Sequence, residues 1–121
     1  MGEFQLIERL APFLAGAGDD VPVGHGDDAA VIEVDGRWVC VTVDVLVDGV
    51  HFRPDVSSMA DVGWKSVAVG VSDIAAMGAR TTAAVVGLAR PGSLPESRVE
   101  ELYAGMHAAC RRWGVRLVGG D

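Results

Sequence analysis

The sequence predicts an α+β domain, with helices packed on one side of a mixed or mainly antiparallel sheet. Three observations carry this. Two β-branched runs, Ala30 to Val34 and Trp38 to Val47, flank Asp35-Gly36, a dipeptide that signals a hairpin. Two long stretches, Asp61 to Arg80 and Glu96 to Trp113, place apolar residues at helical spacing. Each is followed by an apolar strand-like run, Thr81 to Leu88 and Val115 to Val118.

The elements follow in order. Leu6, Ile7, Leu10, Phe13 and Leu14 form a helical stripe near the start, which Pro12 shortens or bends. Ala15 to Asp28 is rich in Gly and Asp and reads as loop. The hairpin comes next, then a loop from Asp48 to Ala60 that holds His51. The central helix has Trp64, Val67, Ala68, Val71, Ile74, Ala75 and Gly78 as its apolar stripe. Gly70 in its middle costs about 1 kcal/mol against Ala, which a close approach of backbone or ligand would explain. Ser93-Leu94-Pro95-Glu96 fits a capping box for the next helix. Its stripe is Val99, Leu102, Tyr103, Met106, Cys110 and Trp113, and Gly114 suits its C-terminal end.

The chain has 121 residues, enough for one domain with one core, and half of them are hydrophobic. The net charge of -7 argues against nucleic acid or an anionic membrane as partner, but not against an anionic substrate held through metal ions. The two cysteines, Cys40 and Cys110, form no zinc or disulfide pattern, so a cytoplasmic location is expected. No apolar run reaches the ~20 residues of a membrane span. The end at Gly119-Gly120-Asp121, directly after a strand-like run, leads us to expect a fragment of a longer protein.

Chemistry concentrates in carboxylates that lie beside secondary-structure elements: Asp27-Asp28, Asp44, Asp73 and Asp121. Asp73 is the most unusual, because a carboxylate in an apolar helix is costly unless something pairs with it. Hard cations such as Mg²⁺ bind carboxylate and phosphate oxygens together. Each acid also has a plainer reading: Asp27-Asp28 as a solvated turn, Asp44 as an edge-strand or loop-capping acid. Gly24-His-Gly-Asp-Asp-Ala imitates a dinucleotide fingerprint but lacks the preceding strand and following helix. His107 and Cys110 share a helix, yet Cys110 lies in the apolar stripe and reads as core. His51 alone reads as structural, His25 as solvent-facing, and Lys65 as solvated, with reach to a phosphate as its alternative.

Taken together, Gly2-Glu-Phe-Gln-Leu-Ile, Gly26-Asp-Asp-Ala, Val43-Asp-Val-Leu-Val-Asp-Gly-Val-His-Phe, Trp64 to Ala79 and Leu117-Val-Gly-Gly-Asp resemble the N-terminal domain of the thiamine-monophosphate kinases. These belong with the aminoimidazole ribonucleotide synthetases and selenophosphate synthetases. The resemblance covers nearly the whole chain. It implies ATP-dependent phosphorylation of thiamine monophosphate to thiamine diphosphate, with Mg²⁺ as cofactor and ATP as co-substrate. It places Asp28, Thr42, Val43, Asp44, Asp73 and Asp121 on metal-binding positions, Gly120 and Asp121 on the ATP site, and His51 on a substrate contact. It also implies a homodimer through the N-terminal sheet, and a C-terminal domain without which residues 1–121 are inactive. Three positions depart from the pattern. Val43 replaces a usual Thr, leaving only its backbone carbonyl as a ligand; Gly70 replaces an Asn; His25 replaces an apolar residue. The rival readings are a related synthetase with another acceptor, or a non-catalytic nucleotide- or metal-binding dimerisation module.

Overall fold

The hairpin at Asp35-Gly36 forms where the sequence places it. Asp35 and Gly36 both take positive φ, 49° and 74°, as a two-residue turn between twisted strands requires. The structure, a computed structural model, describes residues 2–14 and 16–121. Ala15, where the expected first loop begins, lies outside the described residues. By chain contacts the protein divides into two compact units, Met1–Thr42 and Val43–Asp121.

The first unit opens with α1, Glu3–Leu10, followed by a 3₁₀ turn, Ala11–Phe13. Pro12 ends the regular helix, as expected, because it has no N–H to continue the ladder. No residue of α1 is buried, and Leu6, Ile7 and Leu10 on its apolar face stay exposed. The hairpin consists of β1, Ala30–Val34, and β2, Arg37–Val41, in antiparallel register from Ala30 opposite Val41 to Val34 opposite Arg37. The loop before β1 runs along it. Val31 N–H donates to the Val23 carbonyl at 2.9 Å, and Glu33 N–H to the Asp20 carbonyl at 2.8 Å.

The second strand was expected to reach Val47 but ends at Val41. β1 begins at Ala30, so past Val41 there is no neighbour left to pair with. Val43, Val45 and Val47 consequently stay exposed, while Leu46 packs against the core of the second unit.

That core is built by α2, Met59–Ala76, and α3, Glu96–Trp113, over one face of a sheet made of β3, Ala83–Val86, and β4, Arg116–Gly120. β3 and β4 are parallel and joined through α3, a βαβ unit. Ala84 and Val86 pack inward and Val85 points out, the period-two alternation of a sheet covered on one side. The α+β class with mixed pairing therefore holds, with the strands shared between two two-stranded sheets, one antiparallel and one parallel.

α2 begins at Ser58, whose hydroxyl accepts the Asp61 N–H at 3.0 Å. It ends in a Schellman arrangement: Ala79 N–H donates to the Ile74 carbonyl and Gly78 N–H to the Ala75 carbonyl, with Gly78 at φ 73°. Gly78 thus terminates the helix and does not belong to its buried stripe. That stripe is Met59, Val62, Gly63, Val67 and Ile74, so the helix is rotated from the expected face. Trp64 is displaced to the rim, where its ring meets Trp113 with centroids 5.2 Å apart. On α3 the buried set is Leu102, Gly105, Met106, Ala109 and Cys110, and Tyr103 is partly exposed. The expected capping box is not made. α3 is flanked by Pro95, with no side-chain cap.

Two glycines set how closely the helices cross. A Cβ on Gly63 would lie 2.0 Å from the Leu102 carbonyl oxygen, and one on Gly105 would lie 1.9 Å from that of Ala60. Gly70, where a close approach was expected, has open space around it. Volume is excluded where the helices meet, and Gly70 lies away from that crossing.

Candidate functional site

Asp73 was expected deep in an apolar helix. It is half-buried, one position before the buried Ile74. Its partner is Asp44, from the unpaired segment that follows β2, and the two carboxyls share a hydrogen bond. Asp44 is held above its ordinary value of 3.8, first by partial loss of solvent, then by the hydrogen bond to Asp73 and by repulsion from its charge. Two carboxyls this close can both ionise cheaply only with a cation between them. The pair therefore has the donor chemistry of a hard-metal site. Among the described residues, no three or more His, Cys, Asp or Glu side chains are grouped as a ready cation cage.

Asp121 follows β4. Its N–H donates to the Val86 carbonyl at 2.8 Å, and its carbonyl accepts from Leu88 N–H at 2.6 Å, so its backbone is fixed while its side chain is exposed. Just before it the β3–β4 register slips: Ala84 faces Leu117 but Val85 faces Gly119, which leaves Val118 as a bulge. Gly120 is obligatory there. At φ 145° a Cβ would lie 1.7 Å from the Val86 carbonyl oxygen. The glycines that the sequence showed before Asp121 thus bring one backbone against another at a sheet end.

In the first unit, Gly26 takes φ 101° ahead of the two acids. Asp28 N–H donates to Asp27 Oδ1 at 2.8 Å, and Thr42 Oγ1 donates to the Asp28 carbonyl at 3.3 Å. Asp28 and Thr42 are thus adjacent, at the far end of the hairpin from its turn. Val43 is exposed, and its aliphatic side chain carries no oxygen, so only its backbone carbonyl could bind a cation.

His51 is held in a closed loop. Val47 N–H donates to its Nδ1 at 2.9 Å, and its own N–H donates to the Val47 carbonyl at 2.8 Å. Lys65, read from the sequence as solvated, reaches from α2 to the His51 carbonyl at 2.6 Å. No periodicity signals that bond, because it joins a helix to a loop. His25 is exposed, as expected.

An α+β domain that carries a pair of facing acids and, elsewhere on its chain, a glycine-constrained strand end has elements used by metal-assisted nucleotide sites. The chain belongs to the family of AIR synthase related proteins, N-terminal domain, whose model matches residues 26–121. Within that family its likeness runs to the thiamine-monophosphate kinases. It is 44% identical to the thiamine-monophosphate kinase of Mycobacterium tuberculosis over 124 residues, covering 100% of this chain and 36% of that protein. The enzyme of Bacillus subtilis is 40% identical over 122 residues, covering 100% and 37%. The solved structure of AaThiL complexed with AMPPCP and TMP superimposes with a TM-score of 0.83 at 34% identity, over 98% of this chain and 36% of that one. The chain thus spans roughly a third of the length of the curated relatives it matches.

Proposed function

We propose that the protein carrying this chain transfers the γ-phosphoryl group of ATP to thiamine monophosphate, giving thiamine diphosphate and ADP. Residues 1–121 serve as the N-terminal nucleotide- and metal-binding part. The observation that carries this reading is the Asp44–Asp73 carboxyl pair, two acids from different segments facing each other where a divalent cation would relieve their repulsion. Likeness to the thiamine-monophosphate kinases, one of them solved with AMPPCP and TMP, supports the choice of substrates.

In this reading the Mg²⁺ ligands are Asp44, Asp73, Asp121 and the Val43 carbonyl of the second unit and, in the first unit, Asp28 and the Thr42 hydroxyl; Gly120 and Asp121 also line the ATP site. Bound Mg²⁺ would neutralise phosphate charge and so lower the repulsion between two anionic substrates. The chain's own residues bind and orient. A phosphate oxygen of thiamine monophosphate attacks the γ-phosphorus in line as the bond to the β-phosphate oxygen breaks, and ADP leaves with that electron pair. The attacking oxygen is already ionised, so no side chain of this chain need act as general base. His51, with Nδ1 accepting from Val47, keeps its Nε2 proton for an anionic oxygen of the acceptor.

The protein would work in the cytoplasm as a homodimer. The exposed valines Val43, Val45 and Val47 of the second unit support self-association, because exposed apolar side chains on an unpaired segment are a liability if nothing covers them. No helix among the described residues is long and apolar enough to cross a membrane. The test is an assay of the intact protein with ATP, Mg²⁺ and thiamine monophosphate, following thiamine diphosphate. Product formed only with all three present supports the reading. ATP turnover that ignores thiamine monophosphate would favour a related synthetase with another acceptor.

A further inference from the structure

Lys65 lies on the exposed side of α2, yet among the described residues it makes no ion pair. Its ammonium instead donates to a backbone carbonyl, that of His51, at 2.6 Å. A charge-assisted bond of this length fixes the position of what it holds. What it holds is a short closed loop. Gly49 N–H donates to the Phe52 carbonyl at 2.9 Å, His51 N–H to the Val47 carbonyl at 2.8 Å, and Val47 N–H to His51 Nδ1 at 2.9 Å. Phe52 anchors the loop's end by packing against the α2–α3 core. The loop is therefore tied at three places: to itself, to the core through Phe52, and to α2 through Lys65.

The last bond bears on the imidazole. A ring nitrogen that accepts a backbone N–H carries no proton, so the proton of the neutral ring sits on Nε2. Nε2 has no partner among the described residues. We infer that Lys65 is a positioning residue for His51: it clamps the loop carbonyl so that the ring keeps one tautomer and presents Nε2–H to the phosphate of the acceptor. This rests on the reading of His51 as an acceptor contact. It adds that the contact is set from α2, the helix that also carries Asp73. The metal-binding acid and the acceptor-binding histidine are then placed by one rigid element.

The test compares Lys65→Met and Lys65→Arg with the unaltered intact protein. Amide exchange of Gly49 and His51, and the ring ¹⁵N shifts of His51, read the loop directly. Steady-state kinetics read its use. Lys65→Met should speed exchange of those two amides by about tenfold or more, the loss expected for one charge-assisted bond, while α3 amides stay protected. The KM for thiamine monophosphate should rise by a similar factor with kcat within about twofold, and Lys65→Arg, which keeps a donor, should restore most of both. Unchanged loop exchange and ring shifts in Lys65→Met would overturn the inference. So would a raised KM for ATP with the loop intact, which would make Lys65 a phosphate contact. A loosened loop with an unchanged KM for thiamine monophosphate would leave the clamp standing and remove His51 from the acceptor site, so the two failures are distinguishable.

Discussion

The two halves of α2 behave as different objects. From Met59 to Val67 the helix is scaffold: Met59, Val62, Gly63 and Val67 are buried, and Gly63 lets the α3 backbone come into contact. From Ala68 to Ala76 only Ile74 is buried, Gly70 faces open space, and Asp73 meets Asp44. One continuous ladder of hydrogen bonds joins them, so the packed half fixes where the open half holds its carboxylate. A helix buried along its whole length could not offer Asp73 to a charged ligand. One packed nowhere could not hold it still.

The comparison breaks first if Asp73 proves dispensable. In the intact protein Asp73→Asn should lower the rate of thiamine diphosphate formation by at least about 100-fold at saturating ATP, as loss of a metal ligand implies. The melting temperature without Mg²⁺ should be unchanged or raised, because one charge of a repelling pair is gone. Near-normal turnover would make the open half of α2 mere surface.

Gly63→Ala tests the packed half. Its methyl group has no room beside the Leu102 carbonyl, so the helices must part, at a cost of about 3 kcal/mol. Chemical denaturation would read that loss as a lower midpoint. Gly70→Ala should go the other way, gaining up to about 1 kcal/mol of helix stability, since nothing lies near the added methyl. A Gly70→Ala chain that is well folded but impaired in assembly or turnover would sharpen the comparison by showing that a partner or ligand comes close there.

Much of this was legible in the sequence, and the rest was not, for identifiable reasons. Asp35-Gly36 and Gly114 act through their own φ values, so the hairpin turn and the end of α3 could be read locally. The end of β2 could not, because it is set by where β1 runs out. Gly63 and Gly105 carry no side chain to mark a stripe, so periodicity favoured Trp64 and Tyr103 and missed the face that packs. Gly70 looked exceptional and Gly63 ordinary, since the neighbour that distinguishes them belongs to α3. At the site, acids beside element ends were visible as candidates. The pairing of Asp44 with Asp73 and the reach of Lys65 to His51 are tertiary contacts, and no spacing encodes them.

The smallest expected effect is also the most direct test of the claim that α2 delivers Asp73 to Asp44. The Asp44 carboxyl sits above its ordinary value of 3.8, so the metal-free folded chain holds that proton more tightly than the unfolded chain does. The resulting stabilisation is complete below the ordinary value and is lost as the pH rises through the raised one. The measurement is a carboxyl ¹³C NMR titration of Asp44 in metal-free protein, repeated in Asp73→Asn. The account predicts a midpoint above 3.8 that falls towards the ordinary value in the variant, where neither the carboxyl–carboxyl hydrogen bond nor the neighbouring charge remains. A midpoint at the ordinary value in the unaltered protein, unmoved by Asp73→Asn, would contradict it.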